Sequence, residues 1–305
     1  MNVVVAGQRV DAHQHFWRRR RGDYTWLREG DESLAPLCRD FEPAELVPLL
    51  KTQGVVQTVL VQAAATAAET DFLLGLAEEH AFVTGVVGWV DLAAPDVAEQ
   101  LARRSTHRLF KGIRPMLQDL DDPAWIARPA LAEALRHAHR LGLRLDALVD
   151  ARHLGPLAQA LRRAPGLRLV VDHAAKPDLA APGDASAWQA WAEGLRAIAR
   201  LPGTVCKFSG LLTQLPAAGA RDVAADVARI RPVWESLLDW FGPERLLWGS
   251  DWPVLNLRGS YPHWVAVCET LIGELTAAER SLVWADNARR FYGLEPAPAQ
   301  PAQPL

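Results

Sequence analysis

Asp11-Ala12-His13-Gln14-His15 follows an apolar run and sets two imidazoles two residues apart. Side chains of an extended strand alternate between its faces, so Asp11, His13 and His15 share one face. His13 and His15 can then converge on one small object, whether a metal ion, a water or a substrate carbonyl. Near the other end of the chain, Gly249-Ser250-Asp251-Trp252 closes another apolar run with a carboxylate. The pairing points to a catalytic centre built from residues at strand ends.

Outward from these two segments, short β-rich runs alternate with amphipathic stretches of helical length. Strands are expected at residues 9–15, 57–63, 82–90, 109–115, 143–149, 168–173, 204–209 and 245–251. Helices are expected at 43–53, 67–80, 96–104, 129–141, 154–163, 185–200, 220–241 and 263–272. Leu46, Leu49 and Leu50 show the spacing of one buried helical stripe, as do Leu157, Leu161 and Ala164. Gly142, Gly166, Gly203 and Gly242 fall where helices should stop. Eight strand–helix units imply parallel pairing and allow closure into a single-domain (β/α)8 TIM barrel, with an open doubly wound sheet as the competing topology. Residues 1–294 form the expected domain. A final helix at 277–292 is expected on the outside of the barrel, and 295–305, rich in Pro, Ala and Gln, as a disordered tail. The long connection at 17–39 reads as a lid or binding loop.

The 305 residues, half of them hydrophobic and 23% charged, suffice for one large core. A net charge of −3 argues against nucleic acid or an anionic membrane as the main partner and favours a small ligand. Cys38, Cys206 and Cys268 form no CxxC pattern, so neither a disulfide framework nor a thiolate zinc site is indicated, and a reducing cytoplasm fits best. The apolar stretch at 3–6 is too short for a signal-peptide core, and no run is long enough to span a membrane. Oligomeric state is not legible.

Barrel enzymes place chemistry at the C-terminal ends of their strands. The polar residues expected there are Asp11, His13, His15, Gln62, Trp89, Asp91, Arg114, Asp146, Asp172, His173, Lys176, Lys207, Ser209 and Asp251. His173 ends the sixth run and Asp251 the eighth, so both would face the same mouth as His13 and His15. Three imidazoles and one carboxylate suit Zn²⁺ or another divalent transition metal. The bland alternative is a set of polar groups satisfying loop backbones.

Several segments carry a resemblance: the strand-one stretch from Asp11 to Trp17, Lys111-Gly112-Ile113-Arg114-Pro115, Val171-Asp172-His173-Ala174-Ala175-Lys176-Pro177, Cys206-Lys207-Phe208-Ser209-Gly210-Leu211, Gly249-Ser250-Asp251-Trp252-Pro253 and Asn287-Ala288-Arg289-Arg290-Phe291-Tyr292. Together they resemble the amidohydrolase superfamily, in the branch that holds sugar lactonases and 2-pyrone-4,6-dicarboxylate lactonase. Tyr24-Thr25-Trp26 and the first strand resemble the fuconolactone type within it. The fifth strand offers Asp146 and no histidine, so a binuclear centre is not expected. Lys111 as a bridging carboxylated lysine is a weak reading, because Arg114 holds the more terminal position.

The resemblance implies hydrolysis of a sugar-derived lactone. Asp251 would activate water, and His13, His15 and His173 would polarise the carbonyl, either directly or through one bound divalent metal held by these same four residues. Metal-independent catalysis stays open, because the lactonase branch includes such enzymes. Arg114, Gln62, Trp89 and Trp26 are the candidate substrate-binding residues. Two other functions keep the same residues: a zinc-dependent decarboxylase of an aromatic or unsaturated acid, and a non-catalytic barrel that binds a sugar acid. The basic run Arg18–Arg21 reads as a solvated loop face rather than an anion site. His137 and His139, two apart on a helix, cannot share a metal.

Overall fold

The alternation read from the sequence pairs in sequence order. In a computed structural model describing residues 8–180, 185–216 and 221–295, the strands are β1 (Arg9–Gln14), β2 (Val55–Val61), β3 (Val83–Gly88), β4 (Phe110–Ile113), β5 (Arg144–Ala147), β6 (Leu169–Val171), β7 (Thr204–Phe208) and β8 (Leu246–Trp248). All neighbouring pairs are parallel, in the order β1 to β8. A parallel bridge between Gln14 and Trp252 joins the first strand to the segment after the last, with His15 N–H donating to Trp252 O at 2.7 Å. That seam selects the (β/α)8 barrel over the open doubly wound sheet, whose strand order would not run in sequence.

Between the strands lie α1 (Pro43–Thr52), α2 (Ala67–Glu79), α3 (Val97–Ser105), α4 (Ala132–Arg140), α5 (Ala151–Arg163), α6 (Ala185–Ala199), α7 (Val223–Phe241) and, after β8, α8 (Tyr261–Ile272). Side-chain oxygens of Thr66, Asp150, Asp222 and Ser260 cap α2, α5, α7 and α8 by accepting backbone N–H groups of the first turn. One apolar layer fills the space between strands and helices, including Leu60, Leu73, Leu157, Phe208 and Trp234. A second fills the barrel itself, where Val10, Ala12, Val59, Val87, Val170 and Leu247 point inward.

The end of the chain departs from expectation. The stretch 277–292 is broken into α9 (Ala277–Ser281), a wide π-helical turn at Leu282–Asp286 and α10 (Asn287–Tyr292). It does not pack outside the helices. Ala288, Phe291, Tyr292 and Leu294 join the inward-facing layer, and the plug is fastened at strand starts: Arg144 Nε donates to Phe291 O at 2.6 Å and Asn287 Nδ2 to Leu246 O at 2.7 Å. A barrel open at its N-terminal end would expose the apolar residues at the bottom of its interior, and this segment covers them. Lys111 faces the same end, its Nζ donating to Gly293 O at 3.1 Å, so the reading of it as a metal-bridging lysine is wrong. The expected tail beyond 295 lies outside the described residues, as does the apolar stretch at 3–6.

Among the described residues, no helix is long and apolar enough to cross a membrane.

Candidate active site

The apolar runs stop being strands slightly before their polar ends, and this sets where the side chains go. Asp172, His173 and Asp251 lie in turns just past β6 and β8. His173, Ala174, Ala175 and Lys176 all take left-handed backbone angles, with φ of 53°, 51°, 56° and 50°, and Asp251 has φ 61°. Each such residue costs an L-amino acid roughly 1–2 kcal/mol, so the surroundings must hold the turn in place. They do so with Lys176 N–H donating to His173 O at 2.8 Å and the Trp191 indole donating to Ala174 O at 2.7 Å. Gly210 clears the space beside it: a Cβ there would lie 2.4 Å from His173 Nδ1.

Four residues expected to act together do meet. His13 Nε2 and His15 Nε2 are 3.1 Å apart, and Asp251 Oδ1 lies 3.4 Å from His15 Nε2, 3.7 Å from His173 Nε2 and 3.8 Å from His13 Nε2. His15, His173 and Asp251 line a cavity of about 170 Å³ at the C-terminal mouth of the barrel, together with Trp26, Ala63, Arg114, Gln118, Lys176 and Thr213. His13 is wholly buried beneath it and does not reach the cavity surface. Of the three imidazoles, His15 and His173 reach the cavity surface.

Of the expected substrate-binding residues, Arg114 and Trp26 line the cavity and Gln62 and Trp89 do not. Gln62 is buried behind Arg114, where its Nε2 donates to Arg114 O at 2.7 Å while an Arg114 Nη2 hydrogen bond returns to Gln62 O. Trp89, just past β3, is held by its backbone to Thr70 in the first turn of α2. Trp26 reaches over from the long β1–α1 connection, and its indole donates to Ala63 O at 2.8 Å. The basic run lies on that connection as a paired surface, with Arg18 on Glu42 and Arg21 on Asp23.

Lys176, Gln118 and Thr213 belong to the cavity without having been singled out as ligand contacts. Lys176 donates to Gln118 Oε1. The sequence signal for Lys176 was its place three residues after His173; only the left-handed turn brings both into one cavity. Glu69 was missed entirely. It reads as a helix residue, yet its carboxylate accepts the N–H groups of Ala63 and Ala64 at 2.9 and 2.6 Å and shapes the cavity wall.

Burial suppresses protonation of the imidazoles. It holds His15 below its ordinary value and His173 at about 4, and burial with the nearby Lys207 cation keeps His13 well below. Burial by itself would push the Asp251 carboxyl up, but the His173 and His15 rings and the Lys176 cation outweigh it and leave it below the usual range. The site thus combines neutral imidazoles with an ionised carboxylate at neutral pH.

The donor set fits one divalent ion. Tetrahedral zinc with ligands at 2.0–2.1 Å brings donor atoms to roughly 3.3 Å from one another, close to the 3.1 Å between His13 and His15 Nε2 and the 3.8 and 3.4 Å from these to Asp251 Oδ1. His173, expected as a fourth ligand, lies 3.7 Å from Asp251 but does not join that set. His13, His15 and Asp251 present one ligand atom each within a mutual 4.8 Å, and so do His13, Asp172 and His173. The second set is less suited, because Asp172 is already engaged by Lys207 at 3.0 Å and Arg114 at 3.4 Å.

Comparison with known proteins agrees with this geometry. The amidohydrolase family profile matches residues 10–294. An L-fucono-1,5-lactonase of Burkholderia ambifaria is 42% identical over 94% of this chain and 96% of its own. Its counterpart in Burkholderia multivorans is 40% identical over 96% and 98%. A crystal structure of a Burkholderia multivorans amidohydrolase with bound zinc superposes with a TM-score of 0.86 at 39% identity, covering 94% of this chain and all of that one.

Proposed function

Because the chain belongs to the amidohydrolase family, we propose that it hydrolyses a sugar-derived lactone of the L-fucono-1,5-lactone type to the open aldonic acid. One observation carries the reading: an ionised carboxylate, Asp251, sits within 3.4–3.8 Å of three neutral imidazoles at the floor of a cavity sized for a small ligand. The names of the two Burkholderia relatives supply the substrate type.

Lactone hydrolysis needs a deprotonated water and positive potential at the carbonyl oxygen. Asp251 takes the proton from water as its oxygen attacks the carbonyl carbon. His173 and Arg114 face the oxygen that becomes negative. When the ring C–O bond breaks, the proton on Asp251 passes to the leaving alkoxide, which becomes the free hydroxyl of the product. Lys176 adds a second cation to the cavity and favours the developing negative charge. Trp26 covers the apolar C–H face of the sugar ring. His13, His15 and Asp251 would hold a single divalent ion, which when bound supplies Lewis-acid polarisation of the carbonyl.

The setting we propose is carbohydrate catabolism in a reducing cytoplasm, supported by three cysteines that are all free thiols. The net charge of −3 supports a small-molecule partner.

The test is acid release from a panel of sugar lactones, followed with a pH indicator, on protein treated with chelator and on protein supplied with Zn²⁺. Turnover of a 1,5-lactone of a deoxy sugar is expected. Silence on every lactone, with CO₂ release from aromatic acids instead, would sink the reading in favour of a decarboxylase; binding without turnover would leave a sugar-acid-binding barrel.

A further inference from the structure

Below the catalytic cavity lies a second polar cluster with no part in the steps above. Lys207 of β7 is wholly buried in the barrel interior. Its Nζ lies 2.6 Å from Asp146 Oδ2, 3.0 Å from Asp172 Oδ1 and 3.1 Å from His13 Nδ1. The Tyr292 hydroxyl, carried in by the C-terminal plug, donates to the same Asp146 oxygen at 2.7 Å. Burying a cation with two carboxylates contributes little stability compared with apolar packing of the same volume, so such a cluster calls for a role.

Hydrogen-bond direction supplies one. An ammonium group donates and never accepts, so its contact with His13 Nδ1 requires a lone pair on that nitrogen. The rival partner of Nδ1 is Asp172 Oδ1 at 3.3 Å, but that oxygen receives no directed hydrogen bond. On the other side, His15 Nδ1 lies 2.7 Å from Val61 O. A carbonyl only accepts, so His15 carries its proton on Nδ1 and offers a lone pair at Nε2. That lone pair faces His13 Nε2 at 3.1 Å, and the contact is a hydrogen bond only when His13 Nε2 bears the proton. Arg114 Nη1 opposes this assignment, since it too can only donate and lies 3.4 Å from His13 Nε2; that contact is the longest of the set, and the same nitrogen is shared with Asp172 Oδ2.

We propose that Lys207, gripped by Asp146 and Tyr292, is a positioning residue that holds the His13 imidazole with a proton on Nε2, pointing at His15 and Asp251. The inference deepens the proposed lactonase reading, and it bears on metal use. The face formed by His13 Nε2, His15 Nε2 and Asp251 Oδ1 is then served by a proton, and a divalent ion must first drive that proton round to Nδ1, against the Lys207 ammonium. Second-shell partners of this kind commonly change metal affinity by about 10–100-fold.

The test reads the ring directly and needs no turnover. In chelator-treated, full-length protein carrying ¹⁵N-histidine, the His13 signals are assigned by their loss in His13→Gln. The wild type should show the Nε2–H tautomer. Lys207→Met, which removes the donor but keeps the length, should show Nδ1–H and bind Zn²⁺ about 10–100-fold more tightly by chelator competition. An Nδ1–H tautomer in the wild type overturns the proposal, and this arm holds even where Lys207→Met does not fold. A gain in zinc affinity with the Nε2–H tautomer retained also overturns it, since Lys207 would then act only as a point charge. Failure of every lactone to turn over, with the tautomers as expected, would count against the proposed function alone.

Discussion

The Asp11 carboxylate accepts the backbone N–H of Ser250 at 2.8 Å, joining two residues 239 positions apart across the seam of the barrel. The same carboxyl accepts His13 N–H at 3.1 Å and the Tyr261 hydroxyl at 2.9 Å. Asp11 therefore fixes the catalytic strand ends to each other rather than facing a ligand. Asp11→Ala should leave three donors without a partner and lower stability by about 2–3 kcal/mol in denaturant unfolding. Asp11→Asn retains an acceptor for the two N–H groups and should lose much less.

Asp251→Asn is expected to lower kcat on the best lactone by about a hundredfold to ten-thousandfold, with KM changed little. The fold should survive, because the amide fills the same space. An enzyme of near wild-type kcat would remove Asp251 from the role of base.

The pH dependence of kcat/KM follows from the same groups. The active form needs Asp251 ionised and His173 neutral, and both values are held low, that of His173 at about 4. The acid limb should therefore lie near pH 4 and the profile stay flat from about pH 5 to neutrality. An acid limb centred near the ordinary histidine value would show that burial does not control the ring.

Two carboxyls contribute to stability with a pH dependence opposite to that of salt-bridged carboxylates. Burial raises Asp11 to about 6 and Glu69 to about 7, so between their unfolded values and these the folded state holds their protons and the unfolded one does not. Their contribution falls as pH rises, while that of the buried, depressed imidazoles rises over the same window. The Glu69 part is isolated by difference: the thermal midpoint of Glu69→Gln relative to the wild type should rise between pH 5.5 and pH 7.5. A difference that does not move with pH would contradict the assignment.

Lys176→Met tests the left-handed turn. The substitution removes a buried cation from the cavity and should lower kcat/KM by about a hundredfold while leaving thermal stability equal or higher. Unchanged kinetics would mean that the turn serves His173 alone.

The strand order and the grouping of His13, His15, His173 and Asp251 were legible because both rest on local rules. In a parallel barrel all strand ends meet at one mouth. Strict alternation did not place every residue: Ala12 joins the interior layer, a register irregularity between Asp11 and Gln14 lets His13 reach Lys207, and Asp11, expected on the same face, turns to Tyr261 of α8. Gln62 is out of step with the inward Val59 and Val61 and does not line the cavity. Trp89 does not line the cavity, and the link of its backbone to Thr70 is not something hydropathy encodes.

What the sequence determined by itself was the barrel, its single domain and the four residues at its mouth, since each follows from periodicity and residue chemistry. Tertiary structure alone decided three other features. It turned the last helix inward as a plug, since only the closed barrel leaves an apolar end to cover. It brought Lys176 into the cavity through a turn whose left-handed angles depend on Trp191 and Gly210. And it set Lys207, Asp146 and Tyr292 around His13, because the direction of a hydrogen bond between residues so distant in sequence exists only once the chain has closed on itself.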